Sequence, residues 1–216
     1  MSNETGLEKT YKHHHTKGSR RGHSMFKDIR GEFLRDRIKT GKKVLDIGCR
    51  DGVLTKEYAE GNTVLGVDID QEALDDLAER LSIETRKIDL HADWNIPKNS
   101  FDVVVAGEVL EHLYYPDIVV SKISDVLKDG GMLIGSVPNA FSLINRLRLL
   151  IGKKKGTPLC DPTHINHFSR KELKTVLIKN FKNVKITPLG NYAFLDRFFP
   201  GYFSFMLLFE ATKKDK

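Results

Sequence analysis

Short apolar runs recur along the middle of the chain, and most are followed by a segment of helical spacing. Lys43-Val44-Leu45-Asp46-Ile47 ends at Gly48, with helix-compatible residues beyond Gly52. Thr63 to Ile69 is a second run, backed by a clear helix from Gln71 to Leu81. Glu84 to Leu90 reads as a weaker strand and Phe101 to Ala106 as a strong one. Met132 to Val137 follows the helix from Pro116 to Leu127, which stops at Asp129-Gly130-Gly131. Nearly continuous apolar strands alternating with helices predict an α/β fold, a parallel sheet covered on both faces. Its connections should be right-handed crossovers.

The ends of the chain follow other patterns. Residues 1–24 are polar and basic, without apolar periodicity, and are expected to form a flexible arm ahead of a single domain over 25–216. Met25, Ile29, Phe33, Leu34 and Ile38 recur at helical spacing and predict an amphipathic helix that docks on the sheet. Ser169 with Glu172 predicts a capping box opening a helix over 170–179. Strands over Val184–Pro188 and Phe203–Ala211 should close the fold. The region of about 140–168 reads as a lid or substrate insertion. Its apolar stretch Phe141–Ile151, with Arg146, Arg148 and Lys153–Lys155, admits two readings. It is either a basic amphipathic helix for acidic lipid or an apolar substrate, or a lid with its apolar face on the core, which is the preferred reading. Phe194, Phe198, Phe199, Tyr202, Phe203 and Phe205 line a pocket or a homodimer interface, or fill the core, core filling being the default.

Composition narrows the classes. Hydrophobic residues make up 40% and charged residues 30% of 216, too apolar for wholesale disorder. No apolar run reaches the ~18 residues of a membrane span, and the N-terminus lacks the apolar core of a signal peptide, so a cytoplasmic location is expected. Two cysteines, Cys49 and Cys160, exclude a disulfide scaffold or a cysteine zinc site. The net charge of +6 suggests nucleic acid until it is mapped. Residues 1–43 carry +7 and the rest −1, so the body is neutral and a nucleic-acid partner is not favoured.

The chemistry concentrates at the strand ends. In Val44 to Gly52 a buried strand enters a glycine-bearing turn ahead of a helix, and Gly48 and Gly52 permit a sharp turn and close approach of a ligand. Asp68 ends the next strand, where a carboxylate accepts from both hydroxyls of a ribose. The Gly48-x-x-x-Gly52 spacing, with Asp46 before it, disfavours a pyrophosphate and suits a cationic group, which points to an adenosyl ligand with an amino-acid end.

Together, Val44–Gly52, Gly66–Asp70, Phe101–Leu113 and Gly130–Asn139 resemble the class I S-adenosylmethionine-dependent methyltransferases, over roughly residues 40–185. The resemblance implies a Rossmann-like, seven-stranded, mostly parallel sheet with an antiparallel closing strand. It also implies an enzyme acting on a small-molecule acceptor, with S-adenosylmethionine as cofactor. Asp46, Gly48, Cys49 and Gly52 would surround its methionine and ribose parts; Asp68 would hold the ribose and Ile69 would pack on adenine. Asp89 and Leu90 would meet the adenine edge, and Gly107 and Glu108 would lie beside the sulfonium. Arg50 departs from the family, which has a third glycine there, and should point outward, to Asp51 or the cofactor carboxylate.

Within the family the chain looks most like the methionine-biosynthesis W and ubiquinone O-methyltransferase groups. Glu108-x-x-Glu111-His112 places three donors on one helical face, and His164 and His167 lie in a loop that, by analogy, folds over the same crevice. Such a set can hold a divalent metal, with Glu108, Glu111, His112 and His167 as candidates. The preferred alternative makes Glu111 a helix-surface acid and packs His112 under the sheet edge. His164 and His112 are the candidate catalytic residues. An RNA methyltransferase using the basic arm, or a non-catalytic partner with a degenerate cofactor loop, are the alternative functions.

Overall fold

Val44 and Leu45 project to opposite faces of a strand, as do Val103 and Val104, and all four are buried. That arrangement requires a layer on each side of the sheet. The computed structural model, which describes residues 5–16 and 22–215, shows both layers. β1 (Lys43–Ile47), β2 (Thr63–Asp68), β3 (Glu84–Lys87), β4 (Phe101–Gly107), β5 (Leu127–Pro138), β6 (Phe181–Leu189) and β7 (Met206–Lys213) form one sheet of order β3-β2-β1-β4-β5-β7-β6. β1 to β5 pair in parallel, and β7 runs antiparallel between β5 and β6. The expected Rossmann-like sheet, with its antiparallel closing strand, is the sheet observed.

Helices α2 (Lys27–Ile38) and α3 (Lys56–Ala59) cover one face through Leu34, Ile38 and Tyr58, packed on Val44, Val103 and Val105. α5 (Pro116–Val126) and α7 (Arg170–Leu177) cover the other, with Val120, Ile123, Leu173 and Leu177 against Leu45, Val104 and Leu133. α4 (Gln71–Leu81) lays Leu74 and Leu77 on Cys49. Asp70 caps α4 by accepting from the Ala73 amide, and Ser169 with Glu172 forms the expected capping box of α7. Because Asp70 supplies the α4 cap, Asp68 is free for another task.

Three expectations change. Residues 6–16 of the arm form a helix, α1 (Gly6–Thr16), rather than an irregular segment; residues 1–4 and 17–21 of the arm lie outside the described residues. Polar contacts to the domain hold this helix, so no apolar period announces it. The apolar face of α6 (Leu143–Leu150) does not close on the core: Asn145 is its one buried residue, and Leu150 is 82% exposed. Phe194, Phe198 and Phe199 do not fill the core, each being more than 60% exposed.

Candidate functional site

The strand order reverses between β1 and β4, and a parallel sheet opens a crevice at the carboxyl ends of its strands where that happens. A cavity of about 550 Å³ occupies this position, within the range of small-molecule sites. Its floor is the loop after β1. Gly48 takes φ 65°, and an added Cβ would come within 2.6 Å of Val109, so no other residue fits there without displacing the turn. Arg50 takes φ 49°, the left-handed conformation a glycine would adopt. Its side chain turns onto Asp51 at 2.9 Å and the His23 carbonyl at 2.6 Å. Asp68 pins the loop, accepting from the Arg50 amide on one oxygen and the Asp70 amide on the other.

Asp46 and Asp68 of this wall are both buried. Asp46 accepts from Thr55 Oγ1 and Tyr58 Oη, each at 2.6 Å. Burial pushes its carboxyl up to about 6, although the two hydroxyls pull the other way. Burial likewise raises Asp68, and it moves the Cys49 thiol well above its ordinary value. Ile69, Asp89, Leu90, Gly107 and Glu108 also line the cavity. Gly52 does not face it: φ is 75°, and a Cβ there would meet Leu77 of α4 at 2.2 Å. Its role is to let the loop pack on the helix.

The opposite wall comes from His112, which ends a 3-10 turn over Leu110–His112, and from the loop over 156–168; Glu111 lies within the turn and does not itself line the cavity. Glu108 adopts φ 62° ahead of this turn, so Glu108, Glu111 and His112 do not share an α-helical face. Nor is Glu111 a surface acid. It is 2% exposed, and neither carboxylate oxygen has a hydrogen-bond partner among the described residues. Burial, then the charge of Glu108, raises its carboxyl well above the usual range. The Glu111 carbonyl accepts from the Ile165 and Asn166 amides, which fastens the loop to the turn.

His112 and His164 meet this carboxylate, with one donor atom from each of the three residues lying within 4.8 Å of the others. Each ring has Nδ1 at 2.9 Å from a backbone carbonyl, Thr163 for His112 and Pro158 for His164. A carbonyl accepts only, so each Nδ1 carries a proton, and in the neutral ring Nε2 is the nitrogen left to ligate. Burial, reinforced by His164, lowers the His112 pKa to about 4. His167 does not join this set, and Glu108 points elsewhere, one carboxylate oxygen 3.9 Å from the buried guanidinium of Arg30.

A family model described as a methyltransferase domain matches residues 19–185. The chain belongs to the class I S-adenosylmethionine-dependent methyltransferases. The ubiquinone biosynthesis O-methyltransferase of Nitrosococcus oceani is 34% identical over 125 residues, 55% of this chain and 50% of that protein. Its counterpart from Vibrio atlanticus is 32% identical over 166 residues, 69% of this chain and 65% of that one. The chain thus spans about half to two thirds of the length of these relatives. Among solved structures, a SAM-dependent methyltransferase from Archaeoglobus fulgidus superimposes with a TM-score of 0.65 at 21% identity, over 87% of this chain and 94% of that one. The [4+2]-cyclase SpnF superimposes with a TM-score of 0.63 at 17% identity, over 88% and 82%. One fold thus carries differently named activities, and the two superpositions speak for the fold alone.

The methyltransferase cavity also contains residues that sequence patterning did not single out. Arg30 lies buried on α2, donating to Ser24 Oγ and Ser136 Oγ, while its neighbour Ile29 is half exposed. The buried residues of α2 are Arg30, Gly31, Phe33, Leu34 and Ile38, so Phe33, Leu34 and Ile38 of the apolar pattern dock as expected while Met25 and Ile29 stay exposed. Helix α1 closes the mouth: Leu7, Tyr11, His14 and His15 line it, Tyr11 Oη donates to the His112 carbonyl, and His15 Nδ1 lies 2.9 Å from Asp70.

Proposed function

We propose that the chain transfers a methyl group from S-adenosylmethionine to a hydroxyl of a small apolar acceptor, with Glu111, His112 and His164 holding a divalent metal ion beside it. The observation that carries the metal is the buried carboxylate of Glu111, unbonded on both oxygens among the described residues and grouped with two imidazoles whose Nδ1 atoms face carbonyls. Such second contacts orient histidines for ligation, and a mixed carboxylate and imidazole set suits a divalent first-row ion. The names of the ubiquinone O-methyltransferases support an oxygen acceptor.

The cofactor fits the opposite wall. Asp68 spends one lone pair of each oxygen on the loop and keeps the others for the two ribose hydroxyls. Asp46 keeps Oδ1 for a ligand ammonium, its Oδ2 being taken by Thr55 and Tyr58. Because Arg50 reproduces the backbone of a glycine and sends its side chain outward, the loop geometry supports a binding-competent site over a degenerate one.

S-adenosylmethionine supplies a methyl group already activated by the sulfonium, so the protein's contribution is largely in-line positioning. A divalent ion on Glu111, His112 and His164 would lower the pKa of an acceptor hydroxyl. Tyr11 and Leu7 of α1 shield the cavity from water. Manganese binding followed by electron paramagnetic resonance tests this reading. We expect one site in the parent protein, lost in Glu111→Ala and in His164→Ala, with calorimetric affinity for S-adenosylhomocysteine retained in both. Equal manganese binding in parent and variants, or methyl transfer undiminished by chelator, overturns the metal assignment.

A further inference from the structure

Helix α6 is amphipathic in an unusual direction. At about 100° per residue, Leu150, Leu143, Leu147, Ile151 and Ile144 occupy one arc of roughly 120°, and all five are exposed. Arg146 and Arg148 border that arc on either side, and the buried Asn145 lies opposite it. In the 190–205 segment, Phe194, Phe198 and Phe199 are exposed as well, with Arg197 stacked on Phe198 at 4.4 Å.

This face is held open from behind. Asn139 donates to the Gly201 and Ser204 carbonyls, Asn145 donates to the Asn139 carbonyl, and the Leu143 amide donates to Tyr202. Arg146 stacks on Tyr202 at 5.2 Å. Buried polar bonds thus fix α6 and the 201–204 segment as one unit with the apolar side chains pointing away, so the exposure is built into the packing. Apolar surface on this scale marks an interaction site.

The charge around it selects the partner. Residues 141–160 contain five Lys or Arg and no Asp or Glu. Asp196, the one acid of the 190–205 segment, is buried and accepts from the Gly201 and Phe203 amides. An isologous dimer through this face would set cation against cation. A surface with apolar depth and negative charge satisfies both features, and an exposed arc of Leu, Ile and Phe flanked by Arg and Lys is the chemistry of an interfacial helix.

We propose that α6 and residues 190–205 dock the protein on a bilayer containing anionic lipid. Met25 and Phe205 are exposed and also line the cavity mouth, so the docked face runs into the site. Given the function proposed above, on which this clause rests, an apolar acceptor dissolved in the bilayer enters without crossing water.

Flotation with vesicles tests the proposal. Vesicles of phosphatidylcholine with phosphatidylglycerol should carry the full chain, and vesicles of phosphatidylcholine alone should carry far less of it. Leu147→Ser with Leu150→Ser, or Phe198→Ser with Phe199→Ser, should each weaken partitioning at least about tenfold. Each Lys→Glu change at 153–155 should weaken it at least about fivefold. Affinity for S-adenosylhomocysteine, measured beside these, should stay unchanged in every variant, which separates failure of docking from failure of the cofactor site. A folded protein that binds S-adenosylhomocysteine but does not float on the anionic vesicles overturns the proposal. A dimer in sedimentation that Leu147→Ser with Leu150→Ser dissociates also overturns it, in favour of a second copy as the occupant.

Discussion

On the β1–β3 side of the cavity the buried acids are engaged by the protein itself. Asp68 bonds two amides and Asp46 two hydroxyls. On the loop side Glu111 is buried as deeply and has no hydrogen-bond partner on either oxygen among the described residues. Burying a charge without a partner costs several kcal/mol or forces a proton onto the group. The first wall is therefore complete before a ligand arrives, and in the proposed function a bound ion completes the second. The engaged wall fits the part of the ligand that every catalytic cycle shares, and the unengaged one fits the reacting centre.

The largest test of this contrast is Asp68→Ala. It removes two charge-assisted bonds to a ribose, and affinity for S-adenosylhomocysteine should fall about a hundredfold or more. Unchanged affinity would take the ribose off this wall and dissolve the division between the two sides. Asp46 gives a pH signature of the same wall. Its carboxyl rises from 3.8 to about 6 on burial, so the folded state holds the proton more tightly than the unfolded chain. Stability from this group is therefore present below pH 3.8 and declines as pH rises through 6, by on the order of 3 kcal/mol. Urea midpoints between pH 4 and 7 should show that decline, and Asp46→Asn should flatten it. A parent midpoint independent of pH over this window would show that Asp46 is not held protonated.

Glu111→Met probes the other wall and should have the opposite sign from a usual core substitution. Replacing an unpartnered buried carboxylate by an apolar chain of similar size should raise metal-free stability by about 1 kcal/mol, or 2–4 °C in Tm. Manganese should raise the Tm of the parent and leave the variant unmoved. A lower Tm for metal-free Glu111→Met would show that the carboxylate has a structural role, and the asymmetry between the walls would be lost.

The same division runs through what the sequence made legible. Strands β1, β2, β4 and β5 are buried on both faces, so their apolar runs make their existence and parallel pairing legible, and with them the engaged wall. Glu111 was read as a surface acid because the motif was laid on an α-helix. The positive φ of Glu108 and the 3-10 turn behind it rotate the carboxylate inward, and no spacing rule announces that. Helix α1 carries few apolar residues and is fastened by Tyr11, His15 and Glu8, the last paired with Lys87, so periodicity passed over it. For α6 the pattern correctly gave one apolar face. Periodicity states that such a face exists, and it is silent on whether protein or something outside it provides the cover.

The smallest effect, and the finest test of the engaged wall, concerns Arg50. A non-glycine residue at φ 49° costs about 1 kcal/mol, and the ion pair with Asp51 returns about 0–1 kcal/mol. Arg50→Gly removes both, so stability and affinity for S-adenosylhomocysteine should each change by no more than about threefold in the corresponding equilibrium constant. Arg50→Ala keeps the strained backbone and loses the pair, so it should be the less stable of the two by about 1 kcal/mol. That order, read from denaturant midpoints, shows whether position 50 serves the loop through its backbone. If Arg50→Gly instead loses tenfold or more in affinity while Arg50→Lys retains it, the cation itself reaches the cofactor, and the wall that looks complete in the free protein is finished by its ligand after all.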